Sequence, residues 1–412
     1  MALNYIWAAF FLVGFLVALI KLIFLGDVDV FPAMLAATFD KAKVGFEISL
    51  YLTGVMALWL GLMKIGEKGG MVSILARWVG PFFSRLFPDV PRDHPASGSI
   101  IMNFSANILG LDNAATPLGL KAMKELQELN PDKETASNAQ ITFLVLNTSG
   151  LTIIPLTIIA DRASLGVPDP TSVFIPLLIA TFFSTMIGLL YLSIRQKINL
   201  LDPVLLAYIL GITGVIALTI GYFITLSPEA LQEKSMLFSS IIILAVIISF
   251  LSLGLVKKVP LFDTFVEGAK EGFTTSVKII PYLVGMLVGI GIFMESGTLD
   301  LLTGGLAWLF SHLGINTDFV ESLPVALVRP LSGQTARGVM LGIAEANIKT
   351  GDMFTVNLAS ILRGCTETTF YILAVYFGSV NIRNTRYALT AGLIADLAGM
   401  VAGILVAYMF FH

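Results

Sequence analysis

The stretch ITFLVLNTSGLTIIPLTIIA, residues 141–160, decides how this chain is read. It is apolar and long enough to cross a bilayer, yet Asn147, Thr148 and Ser149 sit in its middle, followed by Gly150 and Pro155. A second apolar run, about 352–376, carries Thr366, Glu367 and Thr368 in the same way. Each run is preceded by a polar, glycine-punctuated break: GLDNAATPLG at 110–119 and RPLSGQTARG at 329–338. Polar groups at bilayer depth are costly unless they line a wet cavity or bind something. Occurring twice, at matching places, they point to a transport site.

Working outward, the composition agrees. Of 412 residues, 56% are hydrophobic and only 13% charged, with a mean hydropathy of +0.87. A soluble domain is nearer a quarter charged, so this is a polytopic membrane protein. The net charge of −3 carries less information than where the charges lie. A single cysteine, Cys365, excludes an internal disulfide, and the far-separated His94, His312 and His412 match no metal spacing. Residues 5–25 form a long apolar run with no small-residue cleavage site, the pattern of a retained first helix.

Apolar runs long enough to span occur at about 5–25, 46–65, 134–160, 172–195, 203–226, 235–256, 274–294, 352–376 and 387–411. Residues 98–129 and 321–347 each hold two shorter apolar pieces around the polar breaks. Each piece is too short to cross, so each pair predicts a re-entrant helical hairpin, tolerated at depth only where protein or water surrounds it. Segments 28–45, 71–87 and 299–313 are expected to be interfacial or short packed amphipathic helices.

The order recurs. Ala42-Lys43-Val44-Gly45-Phe46 resembles Ala269-Lys270-Glu271-Gly272-Phe273, and Thr116-Pro117-Leu118-Gly119 matches Thr335-Ala336-Arg337-Gly338. Each set has a spanning helix, an amphipathic piece, a broken hairpin and a polar-interrupted helix. Counting crossings makes the second repeat inverted, which places a substrate site near the midplane between the hairpins. Lysine and arginine collect on one side of this topology, putting the N-terminus in the cytoplasm and the C-terminus outside. The expected organisation is a first gate repeat over 1–200, two connecting helices over 201–260 and a second gate repeat over 261–412.

The segment from Asn103-Phe-Ser-Ala-Asn107 through Asp112-Asn113-Ala-Ala-Thr116-Pro117 to Met123 resembles the signature of the spore maturation protein A family. Arg329-Pro-Leu-Ser-Gly, the run Gly364 to Gly378 and Ala391 to Asp396 resemble the spore maturation protein B family. The resemblance covers most of the chain and implies the two proteins fused in one polypeptide. Both families carry a "nucleoside recognition" or gate domain, also found in concentrative nucleoside transporters and ferrous iron transporters. The phosphate loop of a GTPase is absent from this sequence, so GTP coupling is not implied.

Each candidate residue has two readings. Asp112 and Asn113, at the first break, either contact a polar solute or cap the half-helix that follows. Asn103 and Asn107 share a helix face and either line a cavity or bond between helices. Asn147, Thr148 and Ser149 suit Na+ or a hydroxylated solute once Pro155 frees the carbonyl of Leu151, or else simply bond their own backbone. Glu367 is expected near the midplane, as a proton or cation site, a solute acceptor, or the partner of Arg363 or Arg337. Arg329, Arg337 and Arg363 suggest an anionic group on the solute or neutralise Glu367. Ser332, Gln334 and Thr335 match Asn113 and Thr116 as hairpin ligands. Thr366 and Thr368 flank Glu367, and Asp396 belongs to a proton path or faces an arginine beside the close packing of Gly399-x-x-x-Gly403.

The expected protein is an all-α polytopic membrane protein with two inverted gate repeats, in a bacterial cytoplasmic (inner) membrane. The function expected is secondary transport of a small polar solute, nucleoside-like or carboxylated, by alternating access around the midplane site. No cofactor and no nucleic acid partner is expected; coupling to H+ or Na+, and a homo-oligomer, remain open. The alternative is a non-transporting scaffold or regulator of envelope or spore maturation. The enzyme motifs His-Glu-x-x-His and Gly-x-Ser-x-Gly are absent from the sequence, so no catalysis is expected.

Overall fold

The computed structural model describes residues 2–91, 93–108, 112–150, 155–226 and 228–412. Among the described residues the chain is helical throughout and no strand forms, apart from one isolated bridge between Thr135 and Asn384. The all-helical membrane architecture is thus as the hydropathy requires. Helix α1 (Ala2–Ile20) leads through a wide turn into α2 (Val30–Lys68) and the amphipathic α3 (Met71–Leu86). Then come α4 (Pro95–Ile108), α5 (Asp112–Leu129), α6 (Asn138–Ser149) and α7 (Leu156–Ser164). Three longer helices follow: α8 (Phe174–Gln196), α9 (Pro203–Ile224) and α10 (Pro228–Val256). The early order then recurs as α11 (Leu261–Glu295), α12 (Thr298–His312), α13 (Leu323–Val328), α14 (Gly333–Thr350), α15 (Met353–Gly364) and α16 (Thr369–Ser379), and α17 (Ala388–Phe411) ends the chain.

Six helices among the described residues are long and apolar enough to cross a membrane, or seven with the pair Val284–Glu295 and Thr298–His312, which bends by 66°. The expected spans at 134–160 and 352–376 are missing from that set because each is cut in two. The first is cut after Ser149, where Gly150 takes the left-handed conformation (φ 64) that a side chain would strain. The second is cut between Gly364 and Thr369. One expectation is corrected: 28–45 is not a separate amphipathic piece, because α2 runs unbroken from Val30 to Lys68. Its polar Lys41 is accommodated by Glu345, 2.7 Å away, so the charge does not end the helix.

The chain divides into two compact units. The first comprises Met1–Leu60, Thr157–Pro170 and Ala269–Arg363; the second comprises Gly61–Leu156, Thr171–Gly268 and Gly364–His412. Each unit contains one hairpin, the first half of the interrupted helix that follows it, and the second half of the other interrupted helix.

In the first unit, small residues bring helices close, as expected where lipid supplies little drive for helix association. Gly14 of α1 faces Ile292 of α11, Gly45 of α2 faces Val284, and Gly338 of α14 faces Met286. The Trp7 indole donates to the Gly285 carbonyl at 2.8 Å. The hairpin α13–α14 closes on itself, since Asn347 donates to Glu321 at 2.6 Å across 26 positions of sequence.

In the second unit, an aromatic ladder carries the packing. Phe83 stacks on Phe104 at 4.5 Å, Phe104 meets Phe143 edge-on at 5.6 Å, and Phe143 meets Tyr376 at 5.4 Å. Such pairs contribute roughly 0.5–1.5 kcal/mol each beyond buried area. Helix α17 packs along α8, where a Cβ on Gly399 would stand 2.8 Å from the Cys365 carbonyl oxygen and 3.0 Å from the Ser184 Cβ. The close packing expected of Gly399 is therefore real, and it leaves room for the backbone of the broken helix. Helix α3 buries Val72, Phe83 and Leu86 while leaving Trp78 exposed, so its faces are amphipathic.

Candidate functional site

The polar triplets occupy different positions relative to their breaks. Asn147, Thr148 and Ser149 form the last turn of α6, whereas Thr366, Glu367 and Thr368 lie in the break itself, after α15 has ended at Gly364. In the second unit these two segments touch. The Glu367 amide donates to the Thr148 carbonyl at 2.8 Å, satisfying one of the carbonyls that a helix end leaves open. A Cβ on Gly150 would lie 3.3 Å from both the Glu367 amide nitrogen and its Cγ, so glycine serves conformation and proximity together.

Around this contact the second unit holds a network of hydroxyls and amides that ends on one carboxylate, Asp396. The hydroxyls of Thr148 and Thr369 are 2.6 Å apart, and Thr369 donates to Asp396 Oδ2 at 2.6 Å. Thr185 donates to the Ser149 hydroxyl at 3.0 Å. Asn107 donates to Asn147 Oδ1 at 2.8 Å, and the Tyr376 hydroxyl reaches the same oxygen at 3.3 Å. Asn147 in turn donates to the Phe143 carbonyl at 2.8 Å. Asn103 donates across the hairpin to the Ala115 carbonyl at 2.8 Å. Of the two readings for Asn103 and Asn107, the bond between helices is thus realised. Thr366 and Thr368 are buried beside this network. Two residues of this unit's candidate site stand in the open: Thr116, early in α5, and Glu367. Glu367 is therefore at a break and exposed, not enclosed within a continuous helix. The side chains of Asp112 and Asn113, and the carbonyl of Leu151, lie outside the described residues.

The first unit is built from charges instead. Arg337, on α14, clasps Asp161, on α7, through Nε at 3.0 and 2.9 Å from the two carboxylate oxygens and through Nη2 to Oδ1. The pair is almost fully buried. Arg337 was expected to face a solute anion or Glu367; its fork is instead occupied by a carboxylate of the protein. Beside it, Arg162 is 1% exposed and donates to the Pro170 and Asp169 carbonyls, to Ser360 and to Asn357, all at 2.9–3.1 Å. Arg363 donates to Thr157 at 2.8 Å, and Arg329 is buried at the hairpin tip. Ser332 caps α14 by accepting from the Thr335 amide at 3.2 Å, and the Thr335 hydroxyl donates to it at 2.8 Å. Gln334 is exposed.

Asp161, Arg162, Thr369 and Tyr376 were missed by the sequence reading. Each stands beside a residue it bonds only after folding, so no local spacing marks it. Among the described residues no group of three or more His, Cys, Asp or Glu is arranged to hold a metal.

The Gate family model, described as nucleoside recognition, matches residues 49–165 and 276–383, taking in both hairpins and both interrupted helices. Spore maturation protein A of Bacillus subtilis (strain 168) is 44% identical over 181 residues, covering 44% of this chain and 89% of that protein. Spore maturation protein B of the same organism is 45% identical over 166 residues, covering 40% of this chain and 90% of that protein.

Proposed function

Since this chain belongs to the Gate, or nucleoside recognition, family, we propose that it is a secondary transporter of a small polar solute, nucleoside-like or carboxylated. The observation that carries the proposal is the contact of two helix breaks in one unit, Thr148 and Gly150 against Glu367. Interrupted helices present carbonyls and amides at depth, where a solute or ion replaces the missing backbone partners. Asn147, Thr148, Ser149, Thr366 and Thr368 supply neutral hydrogen-bonding groups around that contact, and exposed Glu367 supplies the charge. The recurrence of long helix, amphipathic helix, hairpin and interrupted helix supports two repeats of opposite orientation, with alternating access by rocking or hairpin movement. In this reading the protein lies in the bacterial inner membrane with its N-terminus cytoplasmic, and uptake is coupled to H+ or Na+.

Purified protein in liposomes should take up labelled uridine or succinate under an H+ or Na+ gradient, and Glu367→Gln should abolish or uncouple that uptake. Full uptake by the variant would remove Glu367 from the mechanism. The names of the two relatives favour a second reading, a membrane scaffold in envelope maturation. That reading expects no flux of any solute and stoichiometric co-purification with other proteins.

A further inference from the structure

Asp396 is the one acidic or basic residue along α17, and it is 1% exposed in the middle of the second unit. The groups around it fix a direction. Thr369 has a single hydroxyl proton and places it on Asp396 Oδ2. Its oxygen must then accept in the 2.6 Å contact with Thr148, so Thr148 is the donor there. With the carboxylate ionised, the three groups form a one-way chain, Thr148 to Thr369 to Asp396.

A proton placed on Asp396 Oδ2 reverses the chain without moving a heavy atom. The carboxylic O–H donates to Thr369, Thr369 donates to Thr148, and the Thr148 proton no longer points inward. Thr148 lies in the last turn of α6, and its own carbonyl holds the Glu367 amide. The hydroxyl released by protonation thus becomes a donor at the break. We propose that Asp396 is a proton-binding site and that the Thr148–Thr369 pair reports its protonation to the break holding Glu367. The ligand is H+ itself; its use in uptake rests on the transporter reading above, whereas its binding does not.

The elements packed against α17 are α6, α8, α10 and α16. Helix α6 carries no titratable side chain, and α16 carries Tyr371 and Tyr376. Helix α8 carries Tyr191 and Arg195, the latter over the rings of Tyr191 and Tyr387 at 5.9 and 5.1 Å. Helix α10 carries Glu229, Glu233 and Lys234, all in its first turns. The break adds Cys365, whose carbonyl faces Gly399, and Glu367. Closest to Asp396, Thr369 donates to its Oδ2 and Ser184 donates to the neighbouring Ala395 carbonyl at 2.9 Å.

Infrared difference spectra of the full chain in liposomes, recorded between acid and neutral pH, test this without any solute. A carboxylic C=O band should appear as pH falls and be lost in Asp396→Asn. The band should shift in Thr369→Val and return to its place in Thr369→Ser, with melting temperature checking that each variant folds. Absence of any band lost in Asp396→Asn, a band indifferent to Thr369→Val, or one responding to Na+ and not to pH would overturn the proposal. Uridine and succinate flux on the same samples separates the two ideas: a titrating band without flux keeps the proton site and removes the transporter.

Discussion

The two units solve one problem with opposite chemistry. In the first, buried guanidinium and carboxylate groups tie the hairpin to the half-helices: Arg337 to Asp161, and Arg162 to Asn357 and Ser360. In the second, amides and hydroxyls do the tying, through Asn103, Asn107, Asn147, Thr148 and Thr369. A buried ion pair is rigid, because parting it strands a charge in low dielectric. A neutral hydroxyl can rotate and exchange partners at little cost. On the proposed transporter reading, the first cluster fastens and the second recognises the solute.

The assignment is most exposed at Asp161. Asp161→Asn leaves Arg337 charged and buried, and stability should fall by about 3–5 kcal/mol in reversible unfolding from mixed micelles. The double variant Asp161→Leu with Arg337→Met should regain most of that loss, because apolar partners of similar volume replace a buried pair well. A single variant as stable as the parent would show that the pair fastens nothing. Next comes Asn147→Ala, which removes the acceptor shared by Asn107 and Tyr376; about 1–3 kcal/mol is expected, with uptake impaired even at temperatures where the protein is fully folded. Undiminished uptake there would place recognition elsewhere. Ser332→Ala removes the α14 cap and should lower stability by about 1 kcal/mol while leaving solute specificity unchanged, since that hydroxyl belongs to the fastening side. Smallest in stability is Glu367→Gln, within about 0.5 kcal/mol because the side chain is exposed, although uptake should fail. A large loss of stability in that variant would turn Glu367 into a structural residue and blur the contrast.

Much of this was legible in the sequence because bilayer depth is intolerant. Runs of apolar residues had to be helices, and Gly150, Pro155 and the polar triplets had to mark interruptions. The element order of the two repeats could be followed for the same reason. What could not be read was pairing over distance. Lys41 falls in the segment 28–45 expected to stand apart, and the Glu345 that accommodates it within α2 is 304 positions away. Asp161 and Arg162 directly follow the expected span 134–160, and the Arg337 that binds Asp161 is 176 positions off. The triplets seemed equivalent from spacing, yet one closes a helix and the other follows one, a difference that only the φ angle of Gly150 and the end of α15 at Gly364 reveal.

The way each unit recruits half of the other repeat's interrupted helix has a consequence for assembly. A polypeptide severed in the connector between α9 and α10 would yield two fragments, neither holding a complete unit. The amino-terminal fragment would lack α16 and α17, and the carboxy-terminal fragment would lack α1, α2 and α7. Maturation would become a second-order reaction between them, so abundance of the product would track the scarcer fragment. Joining the halves covalently makes that encounter intramolecular and fixes their stoichiometry at one to one.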